Sequence, residues 1–201
     1  MQWIDFTAYR QQSPRSYPVS DWQLFDTDDE TLITHVTEAF TQLYRTYFIH
    51  ELLVNHQFPV EVRAFRHTDI WRIFLLLTPW TLARVFIPEK DPEIEIPPGW
   101  TVAERSQAPI TVIGPAIPLA ILGGRERAHL NYHPVLGHYL IQPLIQSMES
   151  FATPEDAFKA WNEVITTRNK VIEQQQKKCE WQQEVSRREF FATLRRRTVL
   201  T

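Results

Sequence analysis

The residues best equipped for chemistry are His129, His133 and His138, which fall within one short stretch. Imidazoles at that density are the commonest ligands of divalent metals, and His129 and His133 have the i, i+4 spacing of a helical pair. Pro134 and Gly137 argue against a helix there, and Glu126 is the one carboxylate close in sequence. The expectation is exposed or hydrogen-bonded loop histidines, with a small metal-binding carrier or enzyme using all three as the alternative. Gly123-Gly124-Arg125-Glu126-Arg127 has the glycines and bases of a phosphate cradle. It lacks the Gly-Lys-Ser/Thr ending and the dinucleotide spacing, so a tight turn with solvated charges is expected. No serine stands in a Gly-x-Ser-x-Gly elbow.

Cys179 is the only cysteine, in a stretch rich in glutamine and lysine. One cysteine excludes an internal disulfide framework, and without a Cys-x-x-Cys pair this chain alone cannot form a zinc ribbon, a rubredoxin-type centre or an iron–sulfur site. These residues give no catalytic group and no cofactor site. The expectation is that the chain is not an enzyme.

The aromatics carry a different signal. Pro59 to Phe65 and Trp71 to Pro88 read as strands of buried type that meet at Thr78-Pro79-Trp80. A large aromatic held on a proline corner suits a surface that grips another protein. Trp71 and Trp161 are expected in the core, whereas for Trp80 core and partner contact are equally matched.

These groups must be positioned by a chain of 201 residues with 43% hydrophobic residues, enough for one domain with an appendage. A net charge of −3 gives no overall attraction to nucleic acid or an anionic membrane. Fourteen prolines against five glycines imply rigid corners between short strands. The start of the chain lacks the pattern of a secretory signal, and the longest apolar run, Ile73 to Leu77, is too short to span a bilayer, so the expected location is cytoplasmic.

Thr27-Asp28-Asp29-Glu30 has the form of a capping box, and Leu32, Val36, Phe40, Leu43, Tyr44 and Tyr47 recur at helical spacing over about 20 residues. Phe48 to Leu53 could extend that helix. Strands are expected at 59–66, 70–78, 109–113, 116–122 and 138–145; Pro118 marks an edge and Pro143 an interruption. The segment 82–87 is apolar but could also form a helical turn at its start. Residues 89–99 read as an exposed loop. Thr153 caps a second helix with Pro154 in its first turn and Ala157, Phe158, Trp161, Val164 and Ile165 on its apolar face. The reading is an α+β fold, with an antiparallel sheet of short proline-cornered strands packed by two main helices. Its divisions are 1–26 irregular, 27–172 the domain, and 173–201 a C-terminal helical extension. That extension carries +3 and leaves −6 for the rest.

In this order, the segments resemble the HybE/HupJ family of [NiFe]-hydrogenase assembly chaperones over about residues 32–165. The likeness rests on Val36, Ala39 and Phe40, then Pro59-Val60-x-Val62 and Phe65. Trp71, Thr78-Pro79-Trp80-x-Leu82, Val85 and Pro88 follow. Gly137-x-Tyr139, Leu144-x-x-Ser147-Met148, Phe151, Glu155 and Ala157 complete it. Where such proteins often carry a Ser-Cys-Ser-Leu-type run, this chain has Ile141-Gln142-Pro143-Leu144, so a role for that cysteine does not carry over. The resemblance implies a cytosolic chaperone that binds an immature [NiFe]-hydrogenase subunit precursor before export or membrane docking. Trp80, Leu82 and Tyr139 are the expected partner-binding residues.

Ser186-Arg187-Arg188-Glu189-Phe190-Phe191 lies outside the resemblance and reads like the core of a twin-arginine export signal. Placed there, with no hydrophobic stretch after it, it cannot export the chain in the usual way. An amphipathic helix with Trp181, Val185, Phe190 and Leu194 near one face is the plainer reading. The other reading is a mimic or docking helix that adds Arg187, Arg188 and Phe190 to the partner-binding set.

Overall fold

A computed structural model describes residues 22–109, 113–121 and 124–174. Helix α1 (Asp29–Leu43) starts at Asp28, whose carboxylate accepts the Thr31 N–H at 2.9 Å. The cap is therefore one residue later than the Thr27 box expected from sequence, because Asp28 itself satisfies the free N–H. The helix continues as a π-helical turn, Tyr44–Phe48. Leu32, Val36, Ala39, Phe40 and Leu43 make its buried stripe.

Six antiparallel strands follow: β1 (Glu61–Thr68), β2 (Trp71–Leu77), β3 (Leu82–Pro88), β4 (Ala116–Ile121), β5 (Gly124–His133) and β6 (Gly137–Ile145). Their order in the sheet is β1-β2-β3-β6-β5-β4. Pro118 lies on an edge strand, where a missing N–H removes no ladder bond. Segment 82–88 is a strand throughout, paired on both sides, and not a helical turn. Pro143 does not interrupt β6. The strand runs through it with a register shift against β3, where Leu82 pairs with Ile145 and Ala83 with Pro143.

Alternation divides the sheet's side chains between two faces. One face packs on α1 through Phe74, Leu76, Val85, Ile87 and Ile141. The other carries Trp71, Ile73, Phe86, Leu130 and Leu140, covered by Trp22, Ile94, Ile96 and Trp100. The 89–99 segment is thus only partly the exposed loop expected, since two of its isoleucines face the core. At the far end of this second face, Leu77 and Leu82 pack with Phe58, Met148, Ala157 and Phe158.

Residues 154–174 form a third helix, α3. Thr153 caps it, accepting the Asp156 N–H at 3.2 Å while Asp156 accepts the Thr153 N–H at 3.1 Å. Val164, expected on its apolar face, is exposed. A short α2 (Val102–Ser106), not anticipated from sequence, begins with a full capping box between Thr101 and Glu104. Of the strand expected at 109–113, residues 110–112 lie outside the described residues, and neither Pro109 nor Ile113 is in a strand.

Candidate partner-binding surface

The Thr78-Pro79-Trp80 corner is the tight connection between β2 and β3. Thr78 Oγ accepts the Thr81 N–H at 3.0 Å, and the Thr78 N–H donates to the Thr81 carbonyl at 2.9 Å. The corner is also tied to distant chain. Asn55 donates its N–H to the Pro79 carbonyl at 2.9 Å, and its carboxamide donates to the carbonyls of Phe151 at 2.9 Å and Met148 at 3.3 Å. The Thr81 hydroxyl donates to the Ile145 carbonyl at 2.7 Å. Three other stretches, at Asn55, Ile145 and Met148–Phe151, are thus gathered at one proline turn.

Trp80 points inward. Its ring stacks on Phe48 with centroids 4.3 Å apart and planes 7° from parallel, and it also faces Tyr44 and Phe40. Only 8% of the residue is exposed. Leu82 is fully buried in the cluster with Phe158 and Met148. Tyr139 is buried beside Phe40 with its ring edge-on, and burial pushes its phenol up to about 12 despite a hydrogen bond with Asn131. The sequence left Trp80 between core and surface; in the folded chain all three residues are core. Arg187, Arg188 and Phe190 lie outside the described residues.

What the corner supports is exposed. Beyond the π-helical turn the chain presents Tyr47, Ile49, Leu52 and Leu53, and the last two are 92% and 67% exposed. Adjacent leucines this open are unusual on a monomer, where apolar patches mark contact surfaces. Phe48 plugs into the Trp80 stack and Asn55 ties to Pro79, so both ends of the tip are anchored. From sequence, Tyr47 belongs to the helix's apolar stripe, yet it is exposed, and Phe48 to Leu53 read only as a possible extension of that helix. The available signal was a Leu-Leu pair outside the helical stripe, just before the Asn55-His56-Gln57 break.

The histidines are held separately, on strands instead of the loops expected. His129 hydrogen-bonds the Gly114 carbonyl through Nδ1 at 2.8 Å. His133 accepts the Val135 N–H at 3.2 Å, and burial lowers its pKa. His138 is fully buried: Nδ1 accepts the Gln23 N–H at 3.1 Å and Nε2 donates to the Trp100 carbonyl at 2.8 Å. Those partners fix one neutral tautomer that clamps Trp22-Gln23 and the Trp100 loop to the sheet. No three metal-ligating groups converge among the described residues. Gly124 to Arg127 opens β5, where Arg127 is exposed and Glu126 pairs with Arg84 at 2.9 Å; Gly123, in the expected turn, lies outside the described residues. No described helix is long and apolar enough to cross a membrane.

A six-stranded α+β body with an anchored apolar tip is the make-up of a protein that offers contact surface. The sequence profile of the [NiFe]-hydrogenase assembly chaperone HybE matches residues 31–193, and the chain belongs to that family. A solved relative, the solution structure of HybE from Escherichia coli, is 21% identical over 65% of this chain and 69% of its own, with a TM-score of 0.43. No curated protein matches the chain.

Proposed function

We propose that the chain is a cytosolic chaperone that binds an immature [NiFe]-hydrogenase subunit precursor before export or membrane docking. Its contact surface is the apolar tip from Tyr47 to Leu53. Family membership supplies the client class, and one observation carries the surface: two nearly bare leucines on a mount of stacked aromatics. Covering them contributes about 25 cal/mol per Å² of apolar area, and the anchored ends reduce the ordering cost that binding otherwise meets. No catalytic step is part of this role.

The test is co-purification of the tagged chain from cells lacking the hydrogenase maturation protease, with mass spectrometry of what it retains. Wild type is expected to hold a hydrogenase subunit precursor, and Leu52→Ser/Leu53→Ser to lose it at an unchanged melting temperature. Full retention by the double variant would remove the tip from the interface; recovery of no hydrogenase subunit would remove the client.

A further inference from the structure

The sheet face opposite α1 is covered at both ends and open between them. Across its middle run Arg63, Leu75, Arg84 and Gln142, successive register partners on β1, β2, β3 and β6. All four are half-buried. Leu75 is the sole residue of β2, and Arg84 the sole residue of β3, that is not fully buried. This row is the floor of a trough.

Helix α3 forms its roof and leaves the sheet as it advances. Ala157 and Phe158 are buried, Trp161 and Ile165 half-buried, and Arg168 and Ile172 exposed, all near one helix face. The opposite flank of α3 borders a separate open cleft of about 660 Å³, lined by Arg63, Lys159 and Lys170 together with the carboxylates of Glu155 and Glu163, which shares only Arg63 with the row above.

A bulge brings a second arginine to this face. Ala64, at φ 53°, is the extra residue where the β1–β2 register shifts between Arg63 and Arg66. Val62 and Phe65 pack on the α1 side, so Arg63 and Arg66 both turn to the trough. In a regular strand, residues three apart point to opposite faces.

The charges here are unbalanced. Arg63 is engaged by Glu61 and Glu155, and Arg84 by Glu126. Arg66 and Arg168 have no carboxylate partner among the described residues, yet lie near enough to repel Arg84. Burial, offset in part by Glu126, is the main cause that lowers the Arg84 pKa. Gln142 keeps its buried Oε1 without a hydrogen-bond partner among the described residues. An inorganic anion would answer the guanidiniums but not the apolar floor or the amide acceptor; a polypeptide answers all three.

We propose that this trough binds an extended acidic segment of a partner polypeptide, with carboxylates on Arg66, Arg84 and Arg168 and aliphatic parts on Leu75 and Trp161. It shares no residue with the apolar tip, so the two surfaces stand or fall separately.

The test uses the full chain and a fluorescein-labelled peptide that alternates Glu with Ser and Leu, read by anisotropy beside its Gln counterpart. The Glu peptide is expected to bind, more weakly as salt rises. Arg66→Glu/Arg168→Glu is expected to weaken it by about ten-fold or more, since two charge-assisted bonds are lost. Both residues are exposed, so the melting temperature should hold. No binding of the Glu peptide, equal binding of the Gln peptide, or unchanged binding by the variant overturns the proposal. So does a duplex oligonucleotide that binds more tightly through the same two arginines.

Discussion

Trp80→Ala separates the mount from the surface it carries. A buried tryptophan hides about 150–250 Å², which at about 25 cal/mol per Å² is worth about 4–6 kcal/mol as an upper bound. Alanine keeps a small part of that, and the cavity left beneath Phe48 adds back a cost, so a loss of about 3–5 kcal/mol is expected. For a domain of this size each kcal/mol moves the melting temperature by about 2–4 °C, which gives a fall of about 6–20 °C. The Phe48 stack at 4.3 Å should appear as a coupling of about 0.5–1.5 kcal/mol in a Phe48/Trp80 double-mutant cycle. Circular-dichroism melts of the four proteins measure both quantities, with client retention scored on the same preparations. Retention should fall with stability in Trp80→Ala but without it in Leu52→Ser/Leu53→Ser. A Trp80→Ala melt within about 2 °C of wild type would refute the reasoning, because the ring could then not be holding Phe48 and the tip.

Three further outcomes follow from local geometry. His67 sits between Asp29 at 2.9 Å and Glu89 at 3.1 Å, and hydrogen bonds to both raise its pKa above the ordinary histidine value. A raised folded pKa stabilises at low pH and loses that contribution as pH climbs through it, so stability should fall from about pH 6.5 upward. His67→Gln should flatten that slope in pH-dependent melts; an identical slope would mean the imidazole is not coupled to folding. Ala64→Gly should stabilise by up to about 1 kcal/mol, because glycine accepts the left-handed φ of 53° without a Cβ penalty. Urea titration reads this, and a destabilised variant would contradict the bulge. Gly137 has φ +65°, and an added Cβ would lie 2.4 Å from the Gln23 carbonyl oxygen. Gly137→Ala should therefore cost about 1–3 kcal/mol and loosen the segment at Trp22-Gln23, seen as faster amide exchange there; unchanged protection would place that contact outside the fold's stabilising set.

The parts of the fold legible in sequence were those with strong periodicity and one dominant chemistry. α1 follows from its apolar stripe, β2 from its aromatic and aliphatic run, and the α3 start from Thr153-Pro154, whereas the sequence leaves β3 open between a strand and a helical turn. β5 was harder, because Gly123-Gly124 and the charges at 125–127 read as a turn. Yet Ala128-His129-Leu130-Asn131-Tyr132-His133 alternates with a strand's period. Its polar members are tolerated because they are engaged, as when Asn131 Oδ1 accepts the Gly114 N–H at 2.8 Å. The corner was legible as a feature but not in its direction. Whether Trp80 faces in or out depends on Phe48 and Tyr44, residues more than thirty positions earlier, so no local pattern decides it. The tip left only a weak trace for the converse reason: a Leu-Leu pair outside the helical stripe marks apolar chain off the buried face, but it looks the same whether covered or bare.

The two ends of this logic meet in the π-helical turn. A regular α-helix continued from Leu43 would carry Phe48 round with the apolar stripe and leave the next residues following the helix axis. Widening the last turn accommodates an extra residue per hydrogen-bonded ring and sets Phe48 flat on Trp80. With Phe48 pinned there, and Asn55 pinned to Pro79 a few residues later, the intervening chain can only bow outward, carrying Ile49, Leu52 and Leu53 into solvent. Aromatic burial on the inside therefore maintains apolar exposure on the outside. A flexible loop with the same leucines would collapse onto the nearest groove or lose ordering entropy on contact. An anchored one stays bare and ready, which suits the client binding proposed for it.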